Sequence, residues 1–150
     1  MEIKRILFPT DFSEGASQAL QYAVDIAKRY GAKLYLLHVL YDVAKASGWY
    51  VPHSSLSEMY KDIEKGAKKE LESFGIEELG KFKDIERSVI KGTPHEEIVK
   101  FAKKNEVDLI VIATHGRKGL DRVIFGSTAS QVVRFAPCPV LTVRIPPHQK

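Results

Sequence analysis

Five short strand-like runs, alternating with stretches of helical spacing, constrain this chain more than any other feature. The runs are Ile3 to Phe8, Leu34 to Leu40, Ile85 to Ile90, Val107 to Thr114 and Val140 to Ile145. Between them apolar residues recur every three or four positions, the period of a helix with one buried face. They are Ala16, Leu20, Ala23, Ala27 and Tyr30, then Leu56, Met59, Ile63, Ala67, Leu71 and Phe74. Shorter sets follow at Ile98, Phe101 and Ala102, and at Ala129, Val132, Val133 and Ala136. Punctuation agrees with the periods. Ser13 offers an N-cap and Gly31 a C-terminal stop, and Pro9 and Pro137 end their elements. Thr93-Pro94-His95-Glu96 reads as a capping box with proline at the first helical position.

Near-continuous apolar strands mean a sheet covered on both faces, and strand–helix alternation makes that sheet parallel. The expected fold is α/β, an open, doubly wound five-stranded parallel sheet with helices on both faces. Five strands are too few for a barrel, which takes eight. Val107 to Thr114, the most apolar run, is expected at the centre. With 150 residues, no internal repeat and no linker, residues 1–150 read as a single domain. Ligands of such folds sit beyond the carboxyl ends of strands where strand order reverses. Pro9-Thr10-Asp11, Val39-Leu40-Tyr41 and Thr114 to Thr128 are therefore the segments of interest.

Composition excludes several classes. One cysteine, Cys138, permits neither an internal disulfide nor a multi-cysteine zinc site. No apolar run approaches the ~18 residues of a membrane helix, and the start lacks the apolar segment and cleavage site of a signal peptide. The expectation is a cytoplasmic protein with no membrane partner. The net charge is +4 and unevenly spread. From Gly116 onward six basic residues (Arg117, Lys118, Arg122, Arg134, Arg144 and Lys150) face one acid, Asp121. Such a segment suits a small anion. A nucleic-acid partner is not expected, because the basic residues are not interleaved with aromatics.

Thr114-His115-Gly116-Arg117-Lys118-Gly119, then Gly126-Ser127-Thr128, carries the main signal. Unpaired N–H groups at a helix start, helped by the helix dipole, can cradle phosphates, with Ser127 and Thr128 adding hydroxyls. On spacing alone the same residues also read as a glycine-rich turn with a serine N-cap. Both readings stay open. Neither a P-loop nor a G-x-G-x-x-G fingerprint after the first strand is present.

Ile6-Leu7-Phe8-Pro9-Thr10-Asp11-Phe12-Ser13, Leu36-Leu37-His38-Val39, Gly92-Thr93-Pro94, the Ala113-to-Ser127 loop and Pro137 to Arg144 resemble the universal stress protein family. The resemblance runs from Ile3 to Ile145. It implies a Rossmann-like fold of the adenine-nucleotide alpha-hydrolase type. The nucleotide-binding branch of that family has a signature G-x2-G-x9-G-S/T. Gly116, Arg117 to Phe125 and Gly126-Ser127 match its latter part, but Ala113 stands where the first glycine belongs. Alanine is tolerable there if the backbone is extended and obstructive if it is left-handed.

The resemblance implies binding of ATP, or of ADP or AMP, with magnesium or manganese riding on the phosphates. Val39 would offer its backbone to the adenine edge, and Pro9 and Thr10 would line base and ribose. Asp11 would hold a ribose hydroxyl or a metal-bound water. Ala113, Thr114, Gly116, Gly126, Ser127 and Thr128 would surround the phosphates, with Arg117 reaching the terminal ones. It implies a stress-response regulatory switch with at most slow ATP hydrolysis, acting on an unidentified downstream protein. Two rivals stand beside it: a nucleotide-independent dimeric interaction module, and an ATP-dependent adenylyl-transferase or hydrolase. In the family's topology Val140 to Arg144 is a sheet edge, so a homodimer through that strand is expected.

Other residues read more plainly. A phospho-accepting role for Asp11 is disfavoured, since no aspartate follows the third strand at Ile90-Lys91-Gly92. His38 is expected as a hydrogen-bonded core residue and Cys138 as structural. Trp49 and Tyr50 either fold over a base or cover the second helix.

Overall fold

The computed structural model describes residues 1–42, 53–114 and 126–145. Along them run β1 (Arg5–Pro9), α1 (Glu14–Tyr30), β2 (Lys33–Tyr41), α2 (His53–Ser73), α3 (Ile76–Leu79), β3 (Ile85–Gly92), α4 (Pro94–Lys104), β4 (Leu109–Ala113), α5 (Ser127–Phe135) and β5 (Val140–Val143). The sheet is five-stranded, in the order β3-β2-β1-β4-β5, with every neighbouring pair parallel.

This order dictates the layers. From β1 the chain steps through β2 to β3, then crosses back past β1 to β4 and on to β5. Right-handed crossovers in opposite directions put their helices on opposite faces. One core accordingly joins Ile6, Phe8, Leu34, Leu36 and Val111 to Leu20 and Ala23 of α1, Leu71 of α2 and Leu79 of α3. The other joins Leu7, Leu37, Ile110 and Ile112 to Ile98 and Phe101 of α4 and Val132 of α5. Alternate residues of β1, β2 and β4 serve opposite cores, so these strands are largely apolar, whereas β3 at the sheet edge exposes Glu86, Arg87 and Lys91. Each large apolar side chain buried in these cores is worth about 1.5–3 kcal/mol.

Local chemistry sets the helix ends. Ser13 caps α1, its Oγ accepting the Ala16 N–H at 3.1 Å, and Gly31 ends the helix at φ 65°. Thr93 is the N-cap of α4 and Pro94 its first residue, but the Thr93 hydroxyl makes no cap hydrogen bond, so the expected box is not closed from that side.

The fold corrects several expectations. The midpoint of the sheet is β1, with β4 one place away. Both are buried on two faces, and apolar content does not separate adjacent interior strands. Tyr30, Met59, Ile63 and Val133 are exposed. Each lies at the margin of its helical stripe, beyond reach of the sheet. The four-residue α3 was not expected. Gly75 turns the chain into it at φ +69°, where an added Cβ would run into the Leu20 side chain.

Candidate functional site

Strand order reverses between β1 and β4, and in open sheets of this kind the carboxyl ends of the strands at such a point border a crevice. Pro9 is the last residue of β1 and lies opposite Leu37. The Thr10 N–H donates to the Leu37 carbonyl at 2.8 Å. Parallel strands bond alternately to their two neighbours. The next β2 residue facing this side is therefore Val39, whose N–H and C=O emerge just past the end of β1.

Beyond the strand the chain makes a tight turn. Thr10 is buried, and its Oγ1 accepts the Phe12 N–H at 3.0 Å. Phe12 has a left-handed φ of 65°. The Asp11 carboxylate accepts the Ser13 N–H at 3.0 Å through Oδ1. His38 Nδ1 lies 2.8 Å from the Thr10 carbonyl oxygen. A carbonyl carries no proton, so Nδ1–H is the donor. This is the hydrogen-bonded role expected for His38.

Opposite this turn, Ala113 ends β4 in register with Val143. Its backbone is strand, and its methyl packs on the α1-side core. The alanine that departs from the nucleotide-binding signature therefore occupies an extended position that carries no backbone penalty. Thr114 is buried, and its N–H donates to the Val143 carbonyl at 3.1 Å.

The Gly126 N–H donates to the Thr114 carbonyl, which ties the start of α5 to the end of β4. Gly126, rather than Ser127, is the N-cap, at φ −69° and ψ 161°. Glycine is favoured here by proximity and not by φ: an added Cβ would sit 3.1 Å from the Thr114 carbonyl oxygen, close enough that one of the two must give by a few tenths of an ångström. The donors without an intrahelical acceptor are then the N–H groups of Ser127, Thr128 and Ala129. Ser127 is exposed and Thr128 half-buried.

The fold thus brings Pro9, Thr10, Asp11, Val39, Ala113, Thr114, Gly126, Ser127 and Thr128 to the carboxyl end of the sheet around its switch point. Gly116 and Arg117, with His115, Trp49 and Tyr50, lie outside the described residues. Phe12 was missed by sequence reasoning, because a non-glycine at positive φ leaves no local signal.

Cys138 lies away from this crevice, beside β5, and is half-buried. Burial first, and the charge of Asp108 second, push its thiol above the ordinary range. A thiol so placed is mostly protonated at neutral pH. Its alkylation by iodoacetamide at pH 8 is expected to be slower than that of an unhindered thiol, with the pH–rate midpoint displaced upward. Alkylation as fast as glutathione's would contradict this environment.

The universal stress protein family profile matches residues 2–144. The chain belongs to the universal stress protein family. Among curated relatives it is 36% identical to universal stress protein MJ0531 of Methanocaldococcus jannaschii, over 95% of this chain and 83% of that one. Among solved structures it superposes on MJ0577 with a TM-score of 0.86 at 30% identity, covering 99% of this chain and all of that one. A universal stress protein of Archaeoglobus fulgidus, solved in complex with dAMP, shares the fold at a TM-score of 0.65 and 24% identity. It covers 95% of this chain and 98% of that one. For this universal stress protein the architecture is therefore the Rossmann-like one its motifs imply.

Proposed function

We propose that this universal stress protein binds one adenine nucleotide, ATP or its di- or monophosphate, in the crevice between β1 and β4. It then works as a binding switch rather than an efficient enzyme. The observation that carries this reading is the tether between Thr114 and Gly126, which holds the start of α5 against the strand ends. The N–H groups of the first turn and the positive dipole end of α5 then lie at the same end of the sheet as Thr10 and Asp11. The backbone of Val39, just past the end of β1, suits the edge of a base. The dAMP complex of the Archaeoglobus relative supports the ligand class.

A divalent ion fits as a passenger. Among the described residues no cluster of three or more His, Cys, Asp or Glu forms a cage. Asp11 offers one carboxylate, which suits magnesium or manganese that keeps its waters on the phosphates. Gly116 and Arg117, outside the described residues, keep in this reading the phosphate role that the family signature implies. Among the described residues no helix is long and apolar enough to cross a membrane, and the cytoplasm is the proposed compartment, with a downstream protein as the partner.

Calorimetry with Mg-ATP is expected to show one site per chain. Turnover should stay far below the ~1 per second low end of typical enzymes. Absence of heat and of thermal shift with ATP, ADP and AMP would replace this reading with the nucleotide-independent interaction module. Sustained fast turnover lost in Asp11→Asn would replace it with the enzyme.

We also propose that the switch is a homodimer through β5. That strand pairs with β4 on one side and is the sheet edge on the other. Leu141 and Arg144 are exposed. Unpaired edge groups flanked by a single charge invite antiparallel pairing about a two-fold axis. Light scattering should give twice 16.9 kDa for the wild type and a monomer for Leu141→Lys, whose side chain is exposed while Val143 belongs to the core. A monomeric wild type, or a Leu141→Lys variant that stays dimeric, would contradict the edge pairing.

A further inference from the structure

The turn from Thr10 to Ser13 is held from below by a residue that makes no part of the crevice itself. His38 lies on β2, on the same face of the sheet as Leu36. Its Nδ1–H binds the Thr10 carbonyl at 2.8 Å. Its ring also stacks on Phe12, with centroids 4.3 Å apart and planes 30° from parallel. Phe12 in turn meets Phe74 edge-on at 5.8 Å.

These contacts converge on one awkward residue. An aromatic at φ 65° occupies a region that bulky side chains rarely visit. Such a conformation persists only where its surroundings over-determine it. Here the Phe12 N–H is held by Thr10 Oγ1 and its ring by His38 and Phe74, while the carbonyl that starts the turn is held by His38 again. Asp11 stands between the two fixed residues, so its place at the crevice is set from both sides. A histidine serves better than an apolar residue because it supplies a flat face and a ring-edge donor at once.

We propose that His38, in its Nδ1–H tautomer, is the positioning residue for Asp11. By locking the Thr10 carbonyl and the Phe12 ring it fixes where the carboxylate meets the sugar and metal-bound waters of the nucleotide. This inference rests on the adenine-nucleotide reading of the crevice. The imidazole touches no ligand and acts only through the turn.

Nitrogen-15 NMR of the wild type should show the neutral His38 ring protonated at Nδ1. His38→Leu should weaken Mg-ATP binding about tenfold, the worth of a lost hydrogen bond. Its far-ultraviolet circular dichroism should match the wild type. His38→Asn returns an N–H near the Nδ1 position and should restore affinity to within about threefold. In an Asp11→Ala background His38→Leu should add less than about twofold, because the group it positions is gone.

A neutral ring protonated at Nε2 would overturn the positioning role whether or not nucleotide binds. So would wild-type affinity in His38→Leu, or a full tenfold loss persisting without Asp11. A wild type that binds no adenine nucleotide would overturn the nucleotide reading and this role with it.

Discussion

Gly126→Val is expected to weaken Mg-ATP binding by at least about hundredfold, close to 2.8 kcal/mol at 1.4 kcal/mol per tenfold. A Cβ at this position lies 3.1 Å from the Thr114 carbonyl oxygen, a backbone atom that cannot swing aside. Relief requires the start of α5 to shift from β4 by a few tenths of an ångström, which strains the tether and moves the N–H groups of Ser127, Thr128 and Ala129. The branched methyls then occupy the space a phosphate needs. The fold should survive, since overpacking at one site costs about 1–3 kcal/mol. Gly126→Ala carries the Cβ alone and should fall between valine and wild type. Ala113→Gly, by contrast, should change affinity little, because the backbone there is already extended. Calorimetry on the three variants, with circular dichroism as a control, reads out the series. Wild-type affinity in the valine variant would remove the tether from the account of binding.

The second large effect concerns the frame that holds the crevice. Phe8→Ala is expected to cost about 3–5 kcal/mol, the range for a large buried aromatic. Phe8 has no exposed surface and packs on Phe74 with ring centroids 6.5 Å apart. Phe74 also touches Phe12, so the void opens next to the turn from Thr10 to Ser13. For a chain of this length each kcal/mol moves the melting temperature roughly 2–4 °C. A fall of roughly 6–20 °C is therefore expected, accompanied by loss of nucleotide affinity. A shift below about 3 °C would mean that the core refills the space.

The elements of this fold were legible because they rest on local periods. Ile6, Leu7 and Phe8 cannot all be buried unless both faces of the strand are covered, and that alone implies a two-sided sheet. Strand order was not legible in the local pattern, because the step from β3 back across to β4 depends on packing between residues far apart in sequence; only the family resemblance pointed to β5 as an edge. Nor was the exposure of Tyr30, Met59, Ile63 and Val133, because a helical period gives the direction of a face but not its width. Pro9, Thr10, Asp11 and Gly126 were legible as site candidates from their places at element ends and from family motifs. The contact between His38 and Thr10 joins positions 28 apart through sheet register. No pattern within either segment encodes it.

The bond between Thr114 and Gly126 also bears on how this scaffold can diversify. Thr114 follows β4 and Gly126 starts α5, so the strand and the helix are joined by a bond of their own as well as by the chain between them. That bond uses only backbone atoms. Side-chain changes elsewhere therefore leave its donor and acceptor in place, and new specificities can be tried by substitution without giving up the link that sets the helix against the sheet.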